Sequence, residues 1–162
     1  RQSISNEDEV VPLAREVEYA KGYLTIQKMR YKDKLEFEID VEPSILNIPL
    51  IKLVLQPIIE NAIYHGLKYK ESKGLLQVKG FMKDGNAVLQ VIDNGVGMDE
   101  ETLSHIYDKH KVNYHSNGVG VYNVQKRLKL YYGENYGITY ESEKGVGTTA
   151  TIIIPGIQEE SI

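Results

Sequence analysis

The sequence predicts an α+β fold, a two-layer sandwich in which a mostly antiparallel mixed sheet is covered by helices on one face. Three observations predict it. Apolar residues recur at helical spacing in two well-separated stretches, first from Leu13 to Tyr31 and later around Val121 to Tyr131. Other stretches switch to the alternation expected of half-buried strands. Two pairs of those stretches flank strong turn residues, as in hairpins.

Taken in order, residues 1–12 are polar and read as a loose segment. Leu13, Val17, Ala20, Leu24 and Tyr31 mark the first helix. In "KLEFEIDVE", Leu35, Phe37, Ile39 and Val41 alternate with charged residues and predict a strand. "PSILNIPLIKLVLQPIIENAIYHG" reads as a short turn and then one long helix from about Pro49, with Pro57 kinking it or interrupting its bonding. "LLQVKGFMKDGNAVLQVID" is a hairpin turning at Asp84, Gly85 and Asn86 and ending at Asp93. Asp99 is placed to cap a short helix running to Ile106. "KHKVNYHSNG" has no period and reads as a loop. "VGVYNVQKRLKLYYG" is an amphipathic helix with Val121, Val124, Leu128 and Tyr131 on one side, closed by Gly133. "GITYESEKGVGTTATIIIP" is a second hairpin with Gly145 and Gly147 in its turn.

The 162 residues fit one domain with one core. A net charge of -4 gives no basic excess for nucleic acid, so no nucleic-acid partner is expected. The absence of cysteine excludes a disulfide framework and thiolate metal sites. No apolar run reaches the length of a bilayer span. The chain opens at Arg1 rather than methionine, and reads as a fragment of a longer protein.

Three stretches carry candidate chemistry. "DNGVG" puts Asp93 at a strand end beside Gly95 and Gly97. A carboxylate there can accept a hydrogen bond from a purine amino group, with glycines admitting the ring; the alternative is an ordinary tight turn. "NGVGVYNV" starts a helix with Gly118 and Gly120, where free N–H groups suit phosphate, or simply form an N-terminal turn. It is neither a Rossmann fingerprint nor a P-loop. In "LQPIIENAIYHG", Gln56, Glu60 and Tyr64 lie along one helix edge, with Asn61 and His65 on the next. Asn61 could offer an amide oxygen to Mg²⁺. Glu60 could orient a water or take a proton. The alternative is that these residues cap the helix or face solvent.

Together and in order, these stretches resemble the ATP-binding catalytic domain of sensor histidine kinases, in the superfamily shared with gyrase, Hsp90 and MutL and built on the Bergerat fold. "PIIENAIYHG" resembles the N box, "DNGVGM" the first glycine box, "NGVGVYNVQKRL" the second, and "GVGTTATIIIP" the closing strand pair. "VEYAKGYLTIQKMRY" is similar to a helix typical of the LytS/YesM-like branch. The resemblance runs over residues 13–155, with the helix 13–31 leading from a dimerisation and phosphoacceptor region and residues 156–162 as a tail.

The resemblance implies ATP and Mg²⁺ as cofactors. It implies that Asn61 holds the metal, and that Asp93, helped by a water and Thr148, reads the adenine amino group. Gly95 and Gly97 would make room for the base beside Met98. Gly118, Val119, Gly120 and Val121 would present the second glycine box to the phosphates. His65 would lie near the phosphate path, and residues 105–117 would form a lid carrying Lys109 and Lys111. The family often has a basic residue three positions after the asparagine, where this chain has Tyr64. Phosphate neutralisation would then fall to His65, Lys68, the lid or Arg127. Glu60 is a candidate base.

The same resemblance implies transfer of the γ-phosphoryl of ATP to a histidine upstream of this domain, since His65, His105, His110 and His115 lack its context. Partners implied are that upstream dimerisation and phosphoacceptor region and a response regulator. The fragment is expected to be a monomer, the full-length protein a homodimer, and the domain a cytoplasmic part of a membrane-anchored sensor. Rival readings are a non-kinase ATPase of the superfamily, a degenerate nucleotide-binding or protein-interaction module, and a zinc site at His105, His110 and His115. The first would place a catalytic glutamate where Pro57 stands. The last lacks helical stacking and cysteine.

Overall fold

Leu13, Glu16, Ala20 and Leu24 fall on one face of α1 (Leu13–Tyr31), and all four are buried. Three are the apolar residues an amphipathic helix buries, and Glu16 organises the entry to the second helix. Its carboxylate accepts hydrogen bonds from the backbone N–H groups of Leu53, Val54 and Leu55 at 2.9–3.0 Å. These donors stand at the start of α2 (Leu55–Asn61), where a helix has no internal acceptors for them. A negative charge there also opposes the positive end of the helix dipole. From the other side, Arg127 donates to the carbonyl oxygens of Lys52 and Leu53. Leu53 is thereby held at a φ of 60°, a left-handed conformation that a leucine adopts only under constraint.

Glu16→Gln should therefore destabilise the domain by about 1–2 kcal/mol, because one side-chain oxygen and the charge are lost while three donors remain. Chemical denaturation of the two proteins, read by circular dichroism, measures this. An unchanged midpoint would remove Glu16 as the clamp of α2.

The computed structural model describes residues 9–68, 70–107 and 118–157, with the backbone alone at 118 and 119. Two expectations are corrected at its start. Within the segment 1–12, Val10–Pro12 forms a strand, β1, antiparallel to β3 (Pro49–Ile51). Residues 1–8 lie outside the described residues. The long helix expected from Pro49 is also divided. Pairing with β1 holds Pro49–Ile51 extended, and α2 starts only at Leu55. Pro57 is consequently the third residue of α2, where no N–H would have an intrahelical acceptor, so it breaks no bond.

The main sheet has five strands in the order β2-β4-β5-β7-β6. They are β2 (Leu35–Val41), β4 (Gly74–Lys83), β5 (Asn86–Asp93), β6 (Gly137–Glu143) and β7 (Gly147–Pro155). Only β2 and β4 run parallel. The β4–β5 turn is the two-residue Asp84-Gly85, with φ of 52° and 80°, the left-handed pair a tight hairpin requires. Leu76, Val78, Leu89, Val91, Ala150 and Ile152 alternate along the inner face and are almost wholly buried. Helices α1 and α2, together with α4 (Gly118–Tyr132), cover that face; Val121, Val124 and Leu128 of α4 join the core. This is the expected mixed two-layer α+β sandwich. The expected cap is also present, since Asp99 Oδ1 accepts from Thr102 N at 2.8 Å at the start of α3 (Glu100–Ser104), which ends two residues before Ile106.

After Asn61 the helix widens into a π-helical turn, Ala62–Leu67, with Lys68 N donating to the Ile63 carbonyl five residues back at 2.9 Å. The extra residue in this turn brings Gly66 against the sheet. Its carbonyl oxygen accepts from Val96 N at 2.9 Å, tying the end of the helix to the loop after β5. Such local π-bulges recur at functional sites.

Candidate functional site: a cavity between the helices and the end of the sheet

Asp93 ends β5 and keeps the inward parity of Leu89 and Val91. An alternating strand would place an apolar residue there. Instead a carboxylate, only 6% exposed, faces a cavity of about 570 Å³. The cavity lies between α2, its π turn, the β5–α3 loop, α3 and the inner face of β5, β6 and β7.

The cavity brings together Asn61, His65, Asp93, Gly97, Met98 and Thr148 from the expected set. Asp93 Oδ1 accepts from Gly95 N at 2.8 Å. Thr148 sits opposite Asp93 in the β5–β7 register, and its hydroxyl is 2.7 Å from that of Ser142. Ser142 also accepts from Met98 N at 2.8 Å, so one hydroxyl pair fixes the loop beside the cavity. Gly97, with a φ of 69°, lets that loop pass so close to Glu143 that an added Cβ would lie 2.0 Å from its carbonyl oxygen.

Burial pushes the Asp93 carboxyl up to about 6, against the lowering effect of hydrogen bonds from the backbone of Gly95 and Thr148. A buried carboxylate with acceptor capacity to spare suits a neutral donor such as an exocyclic amine. Burial lowers the His65 pKa, and nearby Lys68 adds to the effect. Both effects favour the neutral form of the imidazole, which can hydrogen-bond phosphate without neutralising it.

Other expectations are corrected. Glu60 does not line this cavity. It accepts from Gln56 Nε2 at 2.9 Å and faces a separate groove with Tyr23, Arg30, Tyr64 and Lys68. The reason is helical phase, because Glu60 and Asn61 are adjacent and project about 100° apart. Lys68 lies over the Tyr64 ring in that groove, 4.4 Å from its centroid. Arg127 is engaged with the Lys52 and Leu53 carbonyls, so its hydrogen bonds secure the entry to α2.

Gly95 does not line the cavity either. Its missing Cβ makes room for the backbone of Gly66, whose carbonyl oxygen would stand 2.1 Å away. Val121 packs in the core, wholly buried. Gly120 lies in the first turn of α4 against Pro57, with an added Cβ 3.5 Å from the proline ring, and it does not line the cavity. Gly118 opens α4 and Val119 comes next. Lys109, Lys111, His110 and His115, with most of the expected lid, lie outside the described residues. Among the described residues lining the cavity there is no lysine or arginine.

Among the lining residues that sequence reasoning missed, Gly66 and Tyr140 matter most to the shape of the cavity. Gly66 is the point of closest approach between helix and sheet, since a Cβ there would lie 2.7 Å from Asp93 Oδ1. Its position at the end of "PIIENAIYHG" was the available signal. Tyr140 on β6 also lines the cavity, and among twelve tyrosines nothing local marked it.

The residues present fit the implied metal. Asn61 is 6% exposed, and its Oδ1 is buried without a hydrogen-bond partner. An orphaned amide oxygen is costly in a protein interior and is a suitable ligand for a hard cation. Among the described residues no cluster of three acidic, histidine or cysteine side chains could hold a metal by itself.

The chain is similar to known proteins over nearly its whole length. Residues 47–158 match the family described as histidine kinase-, DNA gyrase B-, and HSP90-like ATPase. Residues 1–35 match a second family, described as histidine kinase. The chain is 31% identical over 155 residues to the sensor histidine kinase YesM of Bacillus subtilis, covering 96% of this chain and 26% of that protein. It is 35% identical over 130 residues to the sensor protein LytS of Oceanobacillus iheyensis, covering 79% of this chain and 22% of that protein. It thus spans about a quarter of the length of these relatives. Among solved structures, the catalytic domain of the histidine kinase ThkA aligns with a TM-score of 0.70 at 14% identity, covering 91% of this chain and 98% of that one. The mycobacterial sensor histidine kinase MprB aligns with a TM-score of 0.65 at 20% identity, covering 91% and 97%. These likenesses establish the fold.

Proposed function

Because the chain belongs to the histidine kinase-, DNA gyrase B-, and HSP90-like ATPase family, we propose that it is the ATP-binding catalytic domain of a two-component sensor kinase. In this reading it presents the γ-phosphoryl group of ATP to a histidine outside the chain. One observation carries the reading. A buried carboxylate and an orphaned amide oxygen, Asp93 and Asn61, line one cavity of a size suited to a nucleotide.

Asp93 accepts the hydrogen bond of the adenine amino group, with Thr148 beside it. Val91, Ala150, Ile58 and Ala62 enclose the ring in apolar surface. Asn61 Oδ1 holds Mg²⁺, which when bound neutralises charge on the phosphates. Neutral His65 donates a hydrogen bond toward the phosphate path. The start of α4 at Gly118 offers backbone N–H groups to the same phosphates. The incoming imidazole is nucleophilic when neutral, so the work of this domain is positioning and charge stabilisation. Glu60, outside the cavity, is not placed to take a proton there.

The phosphoacceptor and dimerisation region of the same protein and a response regulator complete the proposed pathway. The setting proposed is the cytoplasmic side of a membrane-anchored sensor. Among the described residues no helix is long and apolar enough to cross a membrane.

Calorimetric titration with a non-hydrolysable ATP analogue, with and without Mg²⁺, tests the reading. Asn61→Ala should leave Mg²⁺-free affinity within about twofold and remove roughly a tenfold gain on adding Mg²⁺, about 1.4 kcal/mol. Retention of the full gain in the variant would overturn the metal assignment.

A further inference from the structure

The cavity that holds Asn61 contains a second polar atom without a partner. Tyr140 lies at the centre of β6, paired with Ala150 of β7, and its side chain turns inward to the same cavity. Its hydroxyl is buried and makes no hydrogen bond, as is also true of Asn61 Oδ1. Two such orphans lining one cavity are unusual, because an unmet buried polar group costs about 1–3 kcal/mol. A phenylalanine would pack the same space without that cost.

The tyrosine ring has an aromatic neighbour that is itself anchored. It meets Tyr107 edge to face, with centroids 6.0 Å apart, and the Tyr107 hydroxyl is itself tied to the Ile138 carbonyl at 2.7 Å. Burial, Tyr107 and Asp93 raise the Tyr140 pKa, so it remains a neutral phenol. The Asn61 side chain is near enough to oppose that rise, although the two groups do not meet in hydrogen-bond geometry.

An asparagine amide has an acceptor end and a donor end, and only the acceptor end can bind a cation. A group that accepts from the NH₂ end fixes the oxygen in the opposite direction. We propose that Tyr140 is a positioning residue for Asn61: when the nucleotide and its metal bind, the Asn61 NH₂ group donates to the Tyr140 hydroxyl oxygen and the amide oxygen is held toward the cation. The two orphans thereby become satisfied together. This rests on the proposed role of Asn61. It assigns Tyr140 a function that its position on an edge strand, outside the helix and glycine-box stretches, would not suggest.

The test is a double-mutant cycle with Tyr140→Phe and Asn61→Ala. It is read by calorimetric binding of a non-hydrolysable ATP analogue with and without Mg²⁺, and by thermal melting of the empty domain. Tyr140→Phe should leave Mg²⁺-free affinity unchanged, reduce the Mg²⁺-dependent gain about fivefold, and leave the melting temperature of the empty domain equal or higher. In the Asn61→Ala background, Tyr140→Phe should cause no further loss. A merely structural tyrosine would give a lower melting temperature with the Mg²⁺-dependent gain intact, and that result overturns the proposal. Equal weakening with and without Mg²⁺ overturns it too, because the hydroxyl would then serve the nucleotide directly. If Asn61→Ala itself retains the Mg²⁺ effect, the metal reading fails and this inference falls with it. If Asn61→Ala behaves as expected and Tyr140→Phe does not, only this inference fails.

Discussion

Asp93→Asn should weaken nucleotide binding at least 100-fold while making the empty domain more stable. Both effects come from one buried charge. The carboxylate accepts from Gly95 N at 2.8 Å and retains lone pairs facing the cavity. An asparagine can keep the Gly95 bond through its oxygen, but it then directs an NH₂ group at the purine amine, donor against donor. Loss of a charge-assisted bond together with an unmet donor is worth about 3 kcal/mol, or roughly 100-fold in affinity.

Stability moves the other way. The folded-state pKa of Asp93, about 6, lies above the 3.8 of an unperturbed aspartate. The folded domain therefore holds this proton more tightly than the unfolded chain does. The associated stability is fully present below about pH 4 and is lost as pH rises through 6. At pH 7 the carboxylate costs at most about 3 kcal/mol, and a neutral asparagine removes that cost. Thermal melting at pH 7 should show a rise of several degrees, narrowing as the pH falls toward 4. In the unmodified domain, affinity for the ATP analogue should decline as pH drops below about 6, because the protonated acid no longer presents an unencumbered acceptor. Full binding by the asparagine variant would end the assignment of Asp93 to the adenine.

Gly95→Ala should unfold or severely loosen the domain, at a cost of about 3 kcal/mol or more. The added methyl would stand 2.1 Å from the Gly66 carbonyl oxygen and 2.2 Å from its carbon. These are backbone atoms, so no side-chain rotation relieves the overlap. Separation by more than about 1 Å would be needed to reach ordinary contact distances. That shift would break the Val96 N to Gly66 O bond of 2.9 Å and carry Gly95 N away from Asp93. Urea denaturation should show the loss of stability, and titration of the ATP analogue should show impaired binding in whatever fraction folds.

Gly22→Ala is the matched control. Gly22 lies within α1 with nothing within 4 Å of an added Cβ, so this change should stabilise by about 0.5–1 kcal/mol. Equal behaviour of the two variants would contradict the close approach of helix and sheet.

The elements set by local periodicity were legible in advance: α1, β2, the β4–β5 hairpin with its Asp84-Gly85 turn, the Asp99 cap and α4. The division of the expected long helix was not legible. Nothing between Pro49 and Val54 announces a strand and a left-handed leucine, which exist because β1 pairs from one side and Glu16 and Arg127 hold the loop from others. Arg127 was expected at phosphates for the same reason: an arginine near a glycine box and an arginine that secures a distant loop look alike in one dimension. Glu60 misled differently, since adjacency to Asn61 in sequence places it on another helix face.

By itself, the sequence determined the two-layer α+β sandwich, and its resemblance to sensor histidine kinase domains grouped Asn61, His65, Asp93 and Thr148 as one candidate nucleotide site. Hydrophobic period and turn chemistry are local, and the carboxylate, amide and glycines stand in short contiguous stretches. Only the tertiary structure decided which glycine touches backbone rather than cavity, that burial favours the neutral form of His65, and that Tyr140 shares a cavity with Asn61. Those properties depend on burial and on approach between segments as distant in the chain as Asn61 and Tyr140, and no local pattern encodes a distance through space.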